Sequence, residues 1–143
     1  MYDDLVTLGF TARKSLTLRM PTVPAEYLGD FVRGYFDGDG CIYFKKHQAK
    51  DRKNPRYVFA TRFTCGSRGF LTSLLRTLRS RGLRRGFILE KRNAAYELVF
   101  SHNDSVALYR IMYNNLEDSD IYLGRKYKLF THAIETLYGY MRE

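Results

Sequence analysis

Two acidic residues stand on a glycine-lined stretch in the first third of the chain, in the string Asp37-Gly38-Asp39-Gly40. Carboxylates at this spacing could occupy the first and third positions of a calcium-binding EF-hand loop, because Ca²⁺ takes oxygen ligands. That loop also requires Asn or Asp, Gly and Glu at positions where the chain has Cys41, Ile42 and Gln48. The EF-hand interpretation is therefore excluded. A plain turn remains open, since Asp and Gly are favoured turn residues.

An apolar helix is predicted immediately before these carboxylates. Pro24 can take the first helical position, where its missing N–H costs nothing. Apolar side chains then recur at helical spacing, at Leu28, Phe31, Val32, Tyr35 and Phe36. Gly34 and Gly38 are four residues apart, so they lie on one side of the helix and let another backbone come close. Each costs roughly 1 kcal/mol relative to Ala, which close helix packing would offset.

The composition points to a nucleic-acid partner. The 143 residues suit one domain with a modest core, and the net charge of +9 gives a pI of about 9.7. Twelve tyrosines and ten phenylalanines accompany the basic residues, which favours DNA or RNA over a membrane, since no long apolar run is present. A generically basic protein is the alternative. Cys41 and Cys65 lie far apart with no signal peptide ahead of them, which predicts reduced thiols and an intracellular location.

The residue patterns after Gly40 predict an α+β fold. The expected elements are strands at Cys41–His47 and Arg56–Cys65, a helix capped by Ser67, strands at Arg85–Lys91 and Ala95–Ser101, and helices near Asp104–Asn114 and Arg125–Met141. This αββαββα order predicts an antiparallel sheet with helices packed on one face. The expected organisation is one domain over residues 24–143, preceded by an N-terminal arm at residues 1–23.

The sheet face turned away from the helices, called the open face below, is expected to contact nucleic acid. Alternate strand positions place polar side chains on it, namely Tyr43, Lys45, His47, Arg56, Arg62, Glu90, Arg92 and Glu97. The opposite, core-facing side is expected to carry Phe87, Leu89, Leu98 and Phe100. In the DNA major groove Arg and Lys can read guanine, and Glu can accept from cytosine. The first hairpin turn adds basic side chains expected at phosphates, Lys50, Arg52 and Lys53. A solvated polar face is the alternative.

The string Val32–Gly40, VRGYFDGDG, resembles the signature of the LAGLIDADG homing endonucleases, DNA-cutting enzymes usually encoded in introns and inteins. The match includes Gly34 and the closing DGDG. The sequence departs from the motif at Arg33, where the motif has Ala, and at Tyr35 and Phe36, where it has aliphatic residues. The order of the elements and the late segment Leu123-Gly124-Arg125-Lys126 extend the resemblance. It implies an αββαββα fold with a saddle-like sheet. Residues 1–23 would then be either an arm or the remnant of a linker from a two-motif member.

The resemblance implies metal-dependent phosphodiester hydrolysis. The last acidic residue of the motif and the carbonyl before it, here Asp39 and Gly38, would bind Mg²⁺, which lowers the pKa of an attacking water. The basic residue expected near the site is Lys126, which would polarise water or the scissile phosphate. A polar residue expected at the end of the second strand falls near Cys65. Asp37 is expected to hydrogen-bond near the helix end instead of binding metal.

One motif supplies one carboxylate, whereas cutting both strands of DNA needs two. The resemblance therefore implies a homodimer about a two-fold axis, on a long, roughly palindromic double-stranded target. The motif helices would pack against each other through Val32, Gly34, Tyr35 and Gly38. Three alternatives remain open at this point: half of a larger protein, a DNA-binding regulator that lost cleavage, and an RNA-binding maturase.

Overall fold

The chain forms four helices and four strands in the part that the computed structural model describes, residues 20–48, 50, 53, 56–92, 95–114, 116 and 120–139. In chain order the elements are α1 (Leu28–Asp39), β1 (Gly40–His47), β2 (Arg56–Cys65), α2 (Arg68–Arg79), β3 (Phe87–Lys91), β4 (Ala95–Ser101), α3 (His102–Tyr113) and α4 (Gly124–Tyr138). The predicted α+β class and the αββαββα order with two closing helices are confirmed. The boundaries of β2 and β4 are as predicted, whereas β3 begins at Phe87 instead of Arg85.

Helix α1 passes into β1 without an intervening loop. It follows a single 3₁₀ turn, Ala25–Tyr27, that begins directly after Pro24. At its other end the amide of Gly40 still donates to the carbonyl of Phe36, while the Gly40 backbone is already extended at φ −90° and ψ 160°. A side chain at Gly40 would collide with the ring and backbone of Phe36. Glycine is therefore required at this junction, and Asp39 is the last helical residue.

The four strands make one antiparallel sheet in the order β1-β2-β4-β3. The register pairs Cys41 with Arg62, Arg62 with Val99, and Val99 with Phe87. Directly paired side chains point to the same side of a sheet. The register therefore assigns these residues to the open face: Cys41, Tyr43, Lys45, His47, Arg56, Val58, Ala60, Arg62, Thr64, Phe87, Leu89, Lys91, Ala95, Glu97, Val99 and Ser101.

The other face of the sheet and the helices enclose the hydrophobic core. The hydroxyl of Ser67 caps α2 by accepting from the amide of Phe70 at 3.2 Å, as predicted. The buried apolar side of α2 is the predicted one, Phe70, Leu71, Leu74, Leu75 and Leu78. These side chains share one cluster with Phe59, Phe63, Leu98 and Phe100 of the sheet. Each buried side chain of this size contributes roughly 1.5–3 kcal/mol, so the helices are held on one face.

A buried arginine links α1 to the C-terminal end of α3. Arg33 donates to the carbonyl of Met112 at 2.8 Å, pairs with Asp30 at 2.7 Å, and lies 3.8 Å from Asp120. Only 6% of Arg33 is exposed. The departure from the motif at this position is therefore accommodated inside the protomer, where its donors have partners.

The predicted N-terminal arm lies almost wholly outside the described residues, which begin at residue 20. None of the helices in the described ranges combines the length and apolar character that crossing a membrane would require.

Candidate active site and nucleic-acid interface

Asp39 lies exposed at the junction of α1 and β1, at one edge of the sheet. Its neighbour Asp37 is half-buried, and Oδ2 of Asp37 accepts the amide N–H of Leu123 at 3.0 Å, at the start of α4. The expectation that Asp37 hydrogen-bonds near the helix end agrees with this contact. The two carboxylates therefore differ: Asp37 joins two helices, and Asp39 faces solvent.

Lys126 clamps the C-terminal end of α1. Its Nζ donates to the carbonyl oxygens of Phe36 at 2.7 Å, Asp37 at 3.0 Å and Gly40 at 2.6 Å. An ammonium group has three N–H donors, so all of them are used by backbone. Burial lowers the pKa of Lys126, and the nearby Asp37 opposes this effect. The expectation that Lys126 polarises water or the scissile phosphate has no support in this geometry, since no donor points away from the backbone.

The end of β2 is tied to α1 and α2 by Tyr35 and Ser67. The hydroxyl of Tyr35 donates to the carbonyl of Thr64 at 2.8 Å, and burial raises the pKa of Tyr35. Sγ of Cys65 accepts the amide of Ser67 at 3.3 Å. Cys65 and Ser67 therefore act locally in the chain turn, and Thr64 is the exposed polar side chain at this strand end.

Two of the three glycines of α1, Gly34 and Gly38, leave its outer side open. A side chain added at Gly34 or at Gly38 would have no described atom within 4 Å. The other two residues expected at a helix–helix interface are committed elsewhere. Val32 is 0% exposed in the core of its own chain, and Tyr35 packs its ring against Phe63, with 5.5 Å between ring centroids. The assignment of Val32 to a dimer interface is therefore wrong, because its side chain cannot reach the surface.

The β1–β2 half of the open face carries the predicted polar residues. Tyr43, Lys45, His47, Arg56 and Arg62 all lie on it. The Arg62 guanidinium lies 5.4 Å from the centroid of the Tyr43 ring, and the Tyr43 hydroxyl lies 3.4 Å from His47 Nε2. Aromatic and basic groups are thus placed side by side, and the clustered basic groups are typical of nucleic-acid-binding surfaces.

Glu97 neutralises part of the β3–β4 half. Its Oε1 lies 3.4 Å from Arg62 and 3.7 Å from Lys91, both on the same face. In the structure, Glu97 therefore pairs with neighbouring cations. Lys91 was not among the predicted contact residues. It lies an even number of positions from Phe87 and therefore on the same face of β3, so the correct register would have identified it.

The predicted phase of β3 is wrong by one residue. Glu90 pairs with Tyr96, which packs against the helix-covered core, so Glu90 is not on the open face. Phe87 and Leu89 are on the open face instead of the core, while Ile88 packs against the core. An error of one residue in a predicted register places every side chain of the strand on the wrong face, and the prediction for β3 contains this error. Leu98 and Phe100 are buried in the core as predicted.

The remaining predicted contact residues belong to turns. Lys50 and Lys53 are exposed in the β1–β2 turn, and Arg92 is exposed directly after β3. Arg52 lies outside the described residues. These side chains lie beside the strands, but strand pairing does not assign them to either face of the sheet.

The donor set around Asp39 fits a hard divalent cation only in part. Within the described ranges, no cluster of three or more His, Cys, Asp or Glu residues could hold a metal ion. The Asp39 carboxylate and the Gly38 carbonyl are oxygen donors, and Lys126 contacts the carbonyls on either side of Gly38 but not that one. Mg²⁺ keeps several waters and needs few protein ligands, so the Asp39 carboxylate and the Gly38 carbonyl could supply part of its coordination shell.

Comparison with known proteins gives structural relatives alone. No protein-family model matches the chain, and no curated protein matches it significantly. The archaeal intron-encoded homing endonuclease I-Vdi141I, solved with DNA, has 19% identity and a TM-score of 0.61, over 76% of this chain and 67% of that one. The homing endonuclease I-TnaI has 18% identity and a TM-score of 0.54, over 72% of this chain and 66% of that one.

The meganuclease I-SmaMI, solved with uncleavable DNA, has 13% identity and a TM-score of 0.62, over 94% of this chain. The chain spans 43% of I-SmaMI and about two thirds of I-Vdi141I and I-TnaI. I-SmaMI is itself described as a LAGLIDADG homing endonuclease. The shared sheet, the covering helices and the motif helix that ends at Asp39 agree with these structures. The chain has the fold of the LAGLIDADG homing endonucleases.

Proposed function

We propose that the chain is a site-specific double-stranded DNA endonuclease that binds DNA on the open face and hydrolyses a phosphodiester at Asp39. The observation that carries this proposal is the exposed Asp39 carboxylate, held by the clamped end of α1 at the edge of a basic sheet face. Solved proteins with this fold include I-Vdi141I and I-CeuI in complex with DNA. The net charge of +9 supports a polyanion partner.

The proposed reaction uses Mg²⁺. The oxygen donors of Asp39 and Gly38 suit that ion. I-CvuI was crystallised with the I-CreI target in the presence of 2 mM Mg, and the DNA in that complex was not cleaved. When bound, the ion would stabilise charge on the phosphate and lower the pKa of the attacking water. The residues of this chain would hold the Asp39 carboxylate in place through two contacts, the Lys126 clamp on the end of α1 and the hydrogen bond between Asp37 and the start of α4.

The proposed active form is a homodimer through the outer side of α1. Gly34 and Gly38 leave that side without a neighbour among the described residues, so a second α1 could approach closely. A two-fold axis along this contact would bring two Asp39 carboxylates together and complete the oxygen donor set. The target would then be long and roughly palindromic, because each protomer would read one half-site.

The test is cleavage of a randomised duplex library in Mg²⁺, with recording of both bound and cut DNA. Asp39→Asn is expected to abolish cleavage and to leave DNA binding unchanged, because the amide cannot replace the charged metal ligand. Glu135→Gln, which removes an exposed carboxylate on α4 away from the site, is the matched control and should cut normally. Cleavage by Asp39→Asn at the wild-type rate would remove Asp39 from the mechanism.

A DNA-binding protein without nuclease activity is the second candidate. The observation that favours it is the Lys126 clamp, which leaves the ammonium without a donor for water or phosphate. In the library experiment this candidate predicts a selected sequence among the bound duplexes and no cut product. Selection of RNA over duplex DNA in a parallel library would favour a maturase.

A further inference from the structure

The β3 side of the open face carries an apolar strip, formed by Phe87 and Leu89. Their side chains are 51% and 40% exposed. Both lie outside the core cluster, whereas Ile88 between them packs against it. Val99 of β4 pairs with Phe87 and is buried beside the strip. Large apolar side chains gathered on a surface of charged residues mark an interaction site.

Basic residues flank the strip at both ends. Arg84 and Arg85 precede β3, Lys91 ends it and Arg92 follows it, and all four are exposed. This charge favours a polyanion as the occupant. A second copy packed strip to strip is disfavoured, since it would place the same four cations against each other.

The strip is mounted on a fixed backbone. The carboxylate of Asp104 accepts the amides of Arg84 and Arg85, each at 2.8 Å, and Arg79 donates to the carbonyl of Gly86 at 3.1 Å. Gly86 has φ +99°, and a side chain there would collide with the ring of Phe100. The segment that leads into β3 is therefore held before any ligand binds, which lowers the entropy cost of binding.

Resting on the proposed function, we propose that the strip recognises the C5-methyl groups of two thymines in the DNA major groove. Thymine alone presents a methyl group there, and an apolar side chain is its matching contact. Phe87 and Leu89 are two positions apart in β3, so their Cα atoms lie about 6.8 Å apart at the usual rise of a strand. This distance equals about two base-pair steps of DNA. The expected preference is two thymines, two base pairs apart, in each half-site.

Replacement of thymine by deoxyuridine tests this directly, since it removes only the methyl group. The duplex selected from the library is titrated with protein carrying Asp39→Asn, so that cleavage does not interfere, and binding is followed by fluorescence anisotropy. Each deoxyuridine at a preferred position is expected to weaken binding about fourfold, the effect of one buried methyl group. Leu89→Ser should weaken binding to the thymine duplex similarly and abolish the effect of deoxyuridine at its own position.

Leu129→Ser is the matched control, because Leu129 is 42% exposed but lies on α4, which packs on the core-facing side of the sheet and not on the open face. It should leave both affinities unchanged. Equal affinity of the Asp39→Asn protein for thymine and deoxyuridine duplexes would overturn the inference while leaving the proposed function intact. Loss of self-association in Leu89→Ser with unchanged DNA affinity would assign the strip to a second copy and also overturn it. Failure to select any sequence would remove the proposed function and this inference together.

Discussion

At the residue scale, Lys126 joins the C-terminal end of α1 to the first turn of α4. The last carbonyls of a helix lack intrahelical donors, and a cation there also meets the negative end of the helix dipole. One side chain meets both needs, since Nζ contacts the carbonyls of Phe36, Asp37 and Gly40. These residues bracket Asp39. Lys126 is thus a positioning residue that acts on the carboxylate through the backbone.

Lys126→Met is expected to lower kcat with little change in KM. The methionine keeps the apolar stem but removes the ammonium donor from the carbonyls of Asp37 and Gly40, while that of Phe36 keeps the amide of Gly40. The loss should also lower the free energy of unfolding by about 1–3 kcal/mol. Lys126→Arg should restore most of the stability and part of kcat, because it keeps a donor. Cleavage kinetics and urea unfolding measure the two effects. Loss of kcat with unchanged stability would indicate a direct chemical role for the ammonium group instead.

Two tyrosines, the half-buried Tyr35 and the buried Tyr113, make stability depend on alkaline pH. Burial raises the pKa of Tyr35 and of Tyr113, so both ionise at higher pH in the folded chain than in the unfolded chain, where the pKa is about 10. Above about pH 10 the unfolded chain binds fewer protons, so stability is full below that pH and falls as the pH rises. Lys126 acts in the opposite sense, since its lowered pKa favours folding as pH rises through the alkaline range. The two tyrosines should outweigh one lysine.

Tyr113→Phe tests this dependence at one residue. The buried Tyr113 hydroxyl has no hydrogen-bond partner among the described residues. Its removal should therefore raise stability by about 1 kcal/mol at neutral pH, and should reduce the alkaline loss. The midpoints of urea unfolding, measured from about pH 8 to about pH 11 so that the range spans the ordinary tyrosine pKa, give both results. A lower midpoint at pH 8 would mean that the hydroxyl has a partner in solution.

At the element scale, β3 depends on Asp104 of α3. This carboxylate is 8% exposed and accepts two backbone amides at 2.8 Å each. Asp104→Ala is expected to lower the free energy of unfolding by about 2–4 kcal/mol, because two amides lose a charged acceptor. Asp104→Asn keeps one acceptor oxygen and should lose less. Hydrogen exchange should show the largest loss of protection at Arg84 and Arg85, and uniform loss would contradict a local role.

The sequence predicted the long, strongly patterned elements of the fold. The apolar side of α2 and its Ser67 cap follow from helical spacing and capping alone, and β2 alternates clearly between arginine and aromatic residues. The five residues of β3 could not be phased in this way, since Phe87, Ile88 and Leu89 are apolar on both faces. The phase is set by pairing of Ile88 with Leu98 and by the fixed segment before the strand, neither of which is local.

Only part of the candidate site could be predicted from local sequence patterns. The position of Asp39 at the helix end follows from the motif and from the change to strand spacing. Val32 could not be assigned to the core or to an interface, because it lies on the one apolar face of α1, and helical spacing does not say whether the same chain or a second copy covers that face. The three contacts of Lys126 join residues about 90 positions apart, so local sequence carries no signal for them.

At the scale of the whole molecule, the proposed dimer and the stability of the protomer make opposite demands on α1. Glycine within a helix lowers stability by about 1 kcal/mol relative to alanine. Gly29 has a reason inside the protomer, since a side chain there would lie 2.6 Å from the carbonyl oxygen of Ile111. Gly34 and Gly38 have no such neighbour among the described residues. In the proposed dimer, the close approach of a second α1 would offset their cost.

Gly34→Ala is accordingly expected to stabilise the isolated protomer and to weaken the dimer. The added methyl group fits the protomer and favours the helix by about 1 kcal/mol, but it stands between two helices that must approach closely. Unfolding at low protein concentration and sedimentation at higher concentration separate the two effects, and cleavage should fall with the dimer fraction. Gly29→Ala is the contrasting control and should lower protomer stability, because it collides with α3. Sedimentation of the wild type as a monomer on its selected duplex would exclude the homodimer, and unchanged association of Gly34→Ala would move the interface away from α1.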